Sequence, residues 1–176
     1  MVITCLLGLK LRISYAPQRT YNPSAMTHDV PIVHSRCLPM KILVPTDGSA
    51  CAVRAAKYAA AMHPKVSVTL ISVHDDSGLK HLKKFIPKGT VSDYLRELSD
   101  KDLKSARTAL DKAGVPHDMI IKTGHVAEEI AKAAKAGKYD LIVMGAKGRS
   151  TVSDLLIGSV AQRVLALTKL PLTFIK

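Results

Sequence analysis

The chain has 176 residues, of which 47% are hydrophobic and 23% are charged, and these values predict one globular domain with a sizeable core. No apolar run reaches the roughly 18 residues that a membrane-spanning helix needs, and three cysteines without a C-x-x-C pair favour a reducing compartment, the cytoplasm. The formal net charge of +12 favours anionic partners, although it could equally serve solubility. With no Trp and two Phe, a surface that stacks on nucleic-acid bases is disfavoured.

Residues 1–39 differ in pattern from the remainder of the chain. Four prolines interrupt them, and no hydrophobic periodicity persists for more than a few residues. We therefore predict an N-terminal extension that is mostly irregular or disordered, followed by a domain at residues 40–176. Met40 begins a sequence that would form a complete domain alone, so it could also be the true start of the protein, with Met26 less favoured. The alternative is a tail that binds a partner.

From Met40 onward, short apolar runs alternate with segments of helical periodicity. Five strands are predicted, at Lys41–Asp47, Val66–Val73, His117–Lys122, Leu141–Met144 and Leu170–Ile175. Four helices separate them, one that Ser49 can cap, two at about Ser92–Ala113 and His125–Ala136, and one that begins at Val160. The polar segment Asp75–Val91 is interpreted as a solvated loop rather than as a flap over an anionic ligand.

This alternation predicts an α/β fold, an open doubly wound five-stranded parallel sheet of Rossmann-like type with helices on both faces. Ligands of such sheets bind beyond the carboxyl ends of the strands, where the winding reverses. Spacing alone leaves the strand order open. With the order 3-2-1-4-5, the turn at Pro45–Asp47 and the loop at Gly145–Gly148 would meet in one crevice.

The stretch Tyr139–Val160 has the features of an anion-binding site. A buried strand ends at Gly145, Gly148 follows three residues later, and nine residues then precede Gly158-Ser159. A helix is predicted to begin directly afterwards. Free backbone N–H groups and the positive end of that helix would converge on an anion there.

The spacing Gly145-x2-Gly148-x9-Gly158-Ser159 resembles the signature of the nucleotide-binding universal stress protein family. The opening Lys-Ile-Leu-Val-Pro-Thr-Asp-Gly-Ser and the ending Gly-Ser-Val-Ala-Gln-Arg-Val-Leu are similar to the family as well, and the resemblance covers about residues 40–176. It implies an ATP-binding fold of the adenine-nucleotide hydrolase-like type, with Mg²⁺ arriving on the ATP. It also implies a homodimer that forms through the last strand, Leu172–Ile175.

The resemblance further implies which positions contact the nucleotide. The adenosine side would be lined by Pro45, Thr46, Asp47 and Val73. The ribose and phosphates would lie along Met144, Gly145, Lys147, Gly148 and Arg149. The phosphates would be held at the last helix by Gly158, Ser159 and Val160. At position 146 the chain has Ala, where family members often have Ser or Thr.

Each of these side chains also has a purely structural interpretation. Asp47 could only shape a turn, and Ser159 could only be a helix N-cap. Val73 and Met144 could be core residues, and the two basic side chains of the glycine loop could simply face water. The glycines are harder to explain by packing alone, because they permit close approach of the backbone.

The sequence favours binding over turnover. It has no G-x-x-x-x-G-K-[ST] loop and no G-x-G-x-x-G after the first strand, which argues against a Walker ATPase and a dinucleotide dehydrogenase. The run His74-Asp75-Asp76 is interpreted as a solvated strand end, so we assign no metal ligand and no catalytic residue. We expect an ATP-binding stress or regulatory protein with at most slow hydrolysis. A weak ATPase or nucleotide transferase is the alternative, and a nucleic-acid-binding module is less favoured.

Overall fold

The computed structural model describes residues 2–5, 39–62, 66–77, 90–149 and 157–176. The strands in these residues are β1 (Val2–Cys5), β2 (Met40–Pro45), β3 (Val66–His74), β4 (His117–Thr123), β5 (Leu141–Gly145) and β6 (Leu172–Ile175). The helices are α1 (Ala50–Ala61), α2 (Thr90–Lys112), α3 (Val126–Ala136) and α4 (Ser159–Leu167). Most of the predicted loop at 75–91 lies outside the described residues, and α2 begins two residues before the predicted start.

The strands form one six-stranded sheet with the order β1-β6-β5-β2-β3-β4. All neighbours from β6 to β4 are parallel, so the predicted parallel order 3-2-1-4-5 is confirmed. The winding reverses between β2 and β5, where Leu43 lies opposite Ile142. This register sets the carboxyl ends of both strands side by side, which creates the crevice that doubly wound sheets use for ligands.

An apolar layer covers each face of the sheet, so its central strands are buried on both faces. Ile42 and Val44 of β2 pack against α1 and α2, whereas Leu43 packs against α3 and α4. Successive side chains of a strand point to opposite faces, so a run without polar residues is what a doubly covered strand requires. On α1 the buried residues are all alanines, which lets the helix lie close to the sheet.

The strand β1 is a feature that the pattern of residues 1–39 did not predict. Val2–Cys5 pairs antiparallel with β6, with Val2 opposite Ile175 and Cys5 opposite Leu172. The physical reason is that β6 would otherwise leave a row of backbone N–H and C=O groups unpaired at the sheet edge. The remainder of the extension lies outside the described residues. No helix in the described part of the chain is long and apolar enough to cross a membrane.

Candidate functional site

A cavity of about 250 Å³ opens at the carboxyl ends of β2 and β5. Its wall includes all twelve positions that the sequence analysis assigned to a nucleotide: Pro45, Thr46, Asp47, Val73, Met144, Gly145, Lys147, Gly148, Arg149, Gly158, Ser159 and Val160. The fold thus brings together residues from four separate segments of the chain. Their contact with a nucleotide stays a prediction.

One end of the cavity is apolar. It is lined by Ile71, Val73, Val126, Ile130 and Met144. Three of these, one on β3 and two on α3, were missed by sequence reasoning. Ile71 lies two residues before Val73 and therefore on the same face of β3, and the two α3 residues are four apart on one helix face. These periodicities were visible in the sequence, but only the sheet order shows that both faces meet at this cavity.

The other end is formed by the loop after β5, where the chain passes very close to its neighbours. A Cβ at Gly145 would lie 2.9 Å from the Cβ of Cys51 and 3.1 Å from the backbone nitrogen of Ala52. A Cβ at Gly148 would lie 2.8 Å from Oδ2 of Asp47. Gly145 is therefore required by close approach to the backbone in the first turn of α1, whereas a side chain at position 148 would have to displace the carboxylate of Asp47.

Asp47 joins the two loops that flank the crevice. Its Oδ1 accepts a hydrogen bond of 3.0 Å from the backbone N–H of Ser49, and its Oδ2 accepts one of 3.2 Å from the backbone N–H of Arg149. The first contact shapes the turn before α1, which Ser49 then caps through the N–H of Ala52 at 3.2 Å. Asp47 therefore has the structural role that the sequence left open, whatever its role toward a ligand.

The N-terminus of α4 closes the polar end of the cavity. The N-cap residue is Gly158, and no side chain caps this helix. Ser159 is the first helical residue, so its interpretation as the N-cap is wrong by one position. The N–H of Gly158 donates to the carbonyl of Ala146 at 2.8 Å, which ties the helix start to the loop after β5. N–H groups of the first turn without a side-chain cap, and the positive helix end, favour an anion at this place.

A buried carboxylate behind the cavity wall was missed by sequence reasoning. The side chain of Asp102, on α2, is 7% exposed, and its Oδ1 accepts a hydrogen bond of 2.5 Å from Nη2 of Arg149. Its Oδ2 lies 3.2 Å from Nε2 of His74 at the end of β3. Burial raises the pKa of the Asp102 carboxyl above its ordinary value, although the neighbouring charges of Arg149 and His74 act in the opposite direction. A signal existed, because Asp102 lies seven residues after Leu95 on the apolar stripe of α2.

The run His74-Asp75-Asp76 is a solvated strand end only in part, because Asp75 is exposed whereas Asp76 is buried. His74 faces Asp102, whereas Asp75 lies 3.5 Å from Nδ1 of His125 and accepts a hydrogen bond of 2.8 Å from the N–H of Ser77. The hydrogen bonds from Ser77 hold the pKa of Asp75 below its ordinary value. Within the described ranges, no group of three His, Cys, Asp or Glu side chains could hold a metal ion.

Comparison with known proteins agrees with the fold and with the spacing of the glycines. Residues 40–176 match the model of the universal stress protein family. Universal stress protein MJ0531 of Methanocaldococcus jannaschii is 34% identical over 138 residues, covering 77% of this chain and 81% of that protein. A universal stress protein of Thermus aquaticus is 32% identical over 136 residues, covering 77% of this chain and 97% of that protein.

A solved structure supports the same assignment. Protein MJ0577 of M. jannaschii superimposes with a TM-score of 0.69 at 29% identity, covering 79% of this chain and 96% of that one. A universal stress protein family member of Arabidopsis thaliana, solved with AMP bound, shares the fold at a TM-score of 0.53 and 19% identity, covering 78% of this chain and 92% of that one. From its sequence match, its strand order and its glycine spacing, the chain belongs to the universal stress protein family.

Proposed function

We propose that the cavity binds an adenine nucleotide, with ATP and its Mg²⁺ as the preferred ligand, and that the protein acts as an ATP-binding regulatory or stress-response protein in the cytoplasm. The observation that supports this most is the polarity of the cavity, which is apolar at one end and has the N-terminus of α4, a helix without a side-chain cap, at the other. A planar base and a phosphate chain, joined by a sugar, have the matching polarity.

In this proposal the adenine ring packs between β3 and α3. Val73 and Ile71 form one wall, and Val126 with Ile130 forms the other. Such a wall removes apolar ring surface from water without leaving a buried polar group on the protein side. Asp47, which lines the cavity just after β2, is the residue that we assign to the ribose hydroxyls.

The phosphates then lie between the loop after β5 and the first turn of α4. Lys147 and Arg149 add positive charge to this end of the cavity, and Gly148 lets the loop lie flat against Asp47. The Mg²⁺ would come with the ATP, which needs few protein ligands for that ion. AMP bound to the Arabidopsis protein, which shares the fold, is compatible with an adenine nucleotide here.

We propose binding with at most slow hydrolysis. The carboxylate that lines the cavity, Asp47, already accepts two backbone N–H groups, and these hold it away from a role as general base. Hydrolysis needs an activated water in line with the phosphate as well as charge neutralisation. A weak ATPase would show itself as phosphate release that exceeds the release by a variant with a blocked cavity.

Calorimetric titration of Mg-ATP into nucleotide-stripped protein tests the proposal. Gly148→Val places its branched side chain against Oδ2 of Asp47 and inside the cavity, so we expect binding to fall by about a hundredfold or more, equal to roughly 2.8 kcal/mol. Gly114→Ala is the matched control, because Gly114 has φ +65° and lies in the turn after α2. It should lower stability and leave affinity unchanged. Absence of adenine-nucleotide binding by the stripped wild type would sink the proposal.

We further propose that residues 40–176 suffice for binding and that the protein forms a homodimer through β6. In the structure, however, β1 of the same chain occupies the outer edge of β6. A dimer through β6 therefore needs β1 to leave that edge or to exchange between two copies.

A further inference from the structure

A charged cluster lies behind the cavity and touches three of the segments that build it. Asp102 does not line the cavity, yet its carboxylate contacts Arg149 of the loop after β5 and His74 of β3. Its backbone carbonyl accepts a hydrogen bond of 3.3 Å from Oγ1 of Thr46, next to the end of β2. The helix α2 thus reaches the polar end of the cavity through one residue.

We propose that Asp102 is a positioning residue, which anchors the loop after β5 through Arg149 in the conformation that receives the phosphates. The inference rests on the proposed function, because the phosphates in question are those of the bound nucleotide. Asp102 itself contacts no ligand. It acts by fixing the guanidinium of Arg149 on the α2 side of the loop.

The ion pair can hold the loop because its two partners differ in burial, and breaking it therefore costs Asp102 more than Arg149. The side chain of Asp102 is 7% exposed and that of Arg149 is 59% exposed. If the loop moved away, Arg149 would regain water at little loss, but the Asp102 carboxylate would stay buried with one fewer counter-charge. Removing one partner of a buried charge is strongly unfavourable, so loop conformations without this contact are disfavoured.

A second attachment makes the anchoring specific to one loop conformation. The backbone N–H of Arg149 donates to Oδ2 of Asp47 at 3.2 Å, while the guanidinium of the same residue reaches Asp102. The loop is therefore fixed from both sides of one residue, although the glycines at 145 and 148 would otherwise give it much freedom. A loop that is ordered before the ligand arrives spares the binding reaction the loss of entropy from ordering it.

The variant Asp102→Asn distinguishes a residue that positions the loop from one that keeps Arg149 away from the phosphates, because the two roles predict opposite changes in affinity. If Asp102 merely held Arg149 away from the phosphates, Asp102→Asn would free the guanidinium and strengthen Mg-ATP binding. If Asp102 positions the loop, the same substitution weakens binding. Asparagine keeps the size of the side chain and one acceptor oxygen for Arg149, while the charge is lost and the second oxygen becomes an NH2 donor.

Asp111 provides a matched control on the same helix. Its carboxylate also has an arginine and a histidine partner, Arg107 at 3.7 Å and His117 at 3.6 Å, but its side chain is 55% exposed and neither partner lines the cavity. Asp111→Asn removes the same group from the same helix and should leave the loop after β5 unchanged.

The experiment combines calorimetry with hydrogen exchange of the nucleotide-free protein. For Asp102→Asn we expect Mg-ATP to bind about tenfold more weakly, with adenosine changed less than about threefold, and Asp111→Asn should stay within about twofold of wild type. In the peptide that covers residues 145–149, amide exchange should be faster in Asp102→Asn and unchanged in Asp111→Asn.

Unchanged or tighter Mg-ATP binding by Asp102→Asn, with unchanged exchange at 145–149, would overturn the inference. Should wild type bind no nucleotide while exchange responds as expected, the proposed function fails and the anchoring of the loop stands. If Asp102→Asn does not fold, Arg149→Gln removes the same pair from its exposed end. Amide exchange at residues 145–149 should be faster in Arg149→Gln than in wild type. Arg149→Lys, which retains the charge, should restore part of the protection. Equal exchange in Arg149→Gln and wild type would overturn the inference by that route.

Discussion

The close approach of α1 to the end of β5 makes Gly145→Ala a sharp test of how the cavity is built. A Cβ at this position would lie 2.9 Å from the Cβ of Cys51, 3.0 Å from its carbonyl carbon and 3.1 Å from the nitrogen of Ala52. Ordinary van der Waals contact begins at 3.4 Å, so α1 and β5 must separate by several tenths of an ångström. Two of the three atoms belong to the backbone of the first helical turn, which cannot change rotamer to make room.

The expected magnitude follows from that geometry. Inserting one methyl group into a packed interface costs about 1–3 kcal/mol, and we expect about 2 kcal/mol here because a backbone has to move. For a domain of this size, the change corresponds to a decrease in Tm of about 4–8 °C. Mg-ATP binding should weaken as well, because the loop that begins at Gly145 moves with the strand end.

Urea unfolding, followed by far-ultraviolet circular dichroism, measures the free energy of unfolding. Gly114→Ala is again the comparison, since a Cβ there would meet nothing within 4 Å and only the positive φ opposes it. That conformation costs an alanine about 1 kcal/mol. If Gly145→Ala is as stable as Gly114→Ala or more so, α1 does not pack against β5 as closely as described, and the geometric reason for the first glycine of the signature is wrong.

Three further predictions concern the wall, the buried carboxylate and the sheet edge. Val126→Asp places a charge in the apolar wall and should weaken the binding of both adenosine and Mg-ATP by about tenfold or more. The control Ala136→Asp, at the exposed end of α3, should not weaken it. Calorimetric affinities of Val126→Asp equal to those of wild type would contradict an apolar adenine pocket. In the folded state the pKa of Asp102 is raised above 3.8, so the folded chain keeps this proton to a higher pH than the unfolded chain does. The free energy of unfolding of wild type, relative to that of Asp102→Asn, should therefore fall as the pH rises from about 3.8. A difference that instead grows with pH in urea titrations would show that the ionised form is the favoured one. A chain that starts at Met40 lacks β1 and should dimerise more than the full chain, since the edge of β6 is then free. Light scattering that gives the same number of chains per assembly for both would contradict this.

Much of the fold could be predicted because its signals are local and repeated. The apolar runs of β2, β3 and β5 can be recognised as strands from a few consecutive residues. Their alternation with helices restricts the sheet to few strand orders. The glycines at 145, 148 and 158 indicated one end of the cavity because their spacing is visible in the sequence, and at Gly145 the close approach of α1 explains the residue. The N-cap position of α4 was missed by one residue because Gly and Ser are both common caps and stand next to each other.

The parts that could not be predicted depend on distant contacts. Asp102 interrupts the apolar stripe of α2, but nothing near it in the sequence shows that its partners come from β3 and from a loop 47 residues later. The apolar wall needed the sheet order before β3 and α3 could be assigned to one cavity. Val2–Cys5 is too short to indicate a strand by itself, and only the unpaired edge of β6, some 170 residues away in sequence, gives it a partner.

Native mass spectrometry tests most directly whether this cavity selects adenine nucleotides. Nucleotide-stripped protein is mixed with Mg²⁺ and equal concentrations of ATP, GTP, CTP and UTP, and the mass of each complex is recorded. A site with an apolar wall for adenine and a glycine loop for phosphates should give a complex with ATP above all others, and that complex should disappear in Gly148→Val. A protein that stays free of all four nucleotides, or that takes up the four equally, would contradict the claim.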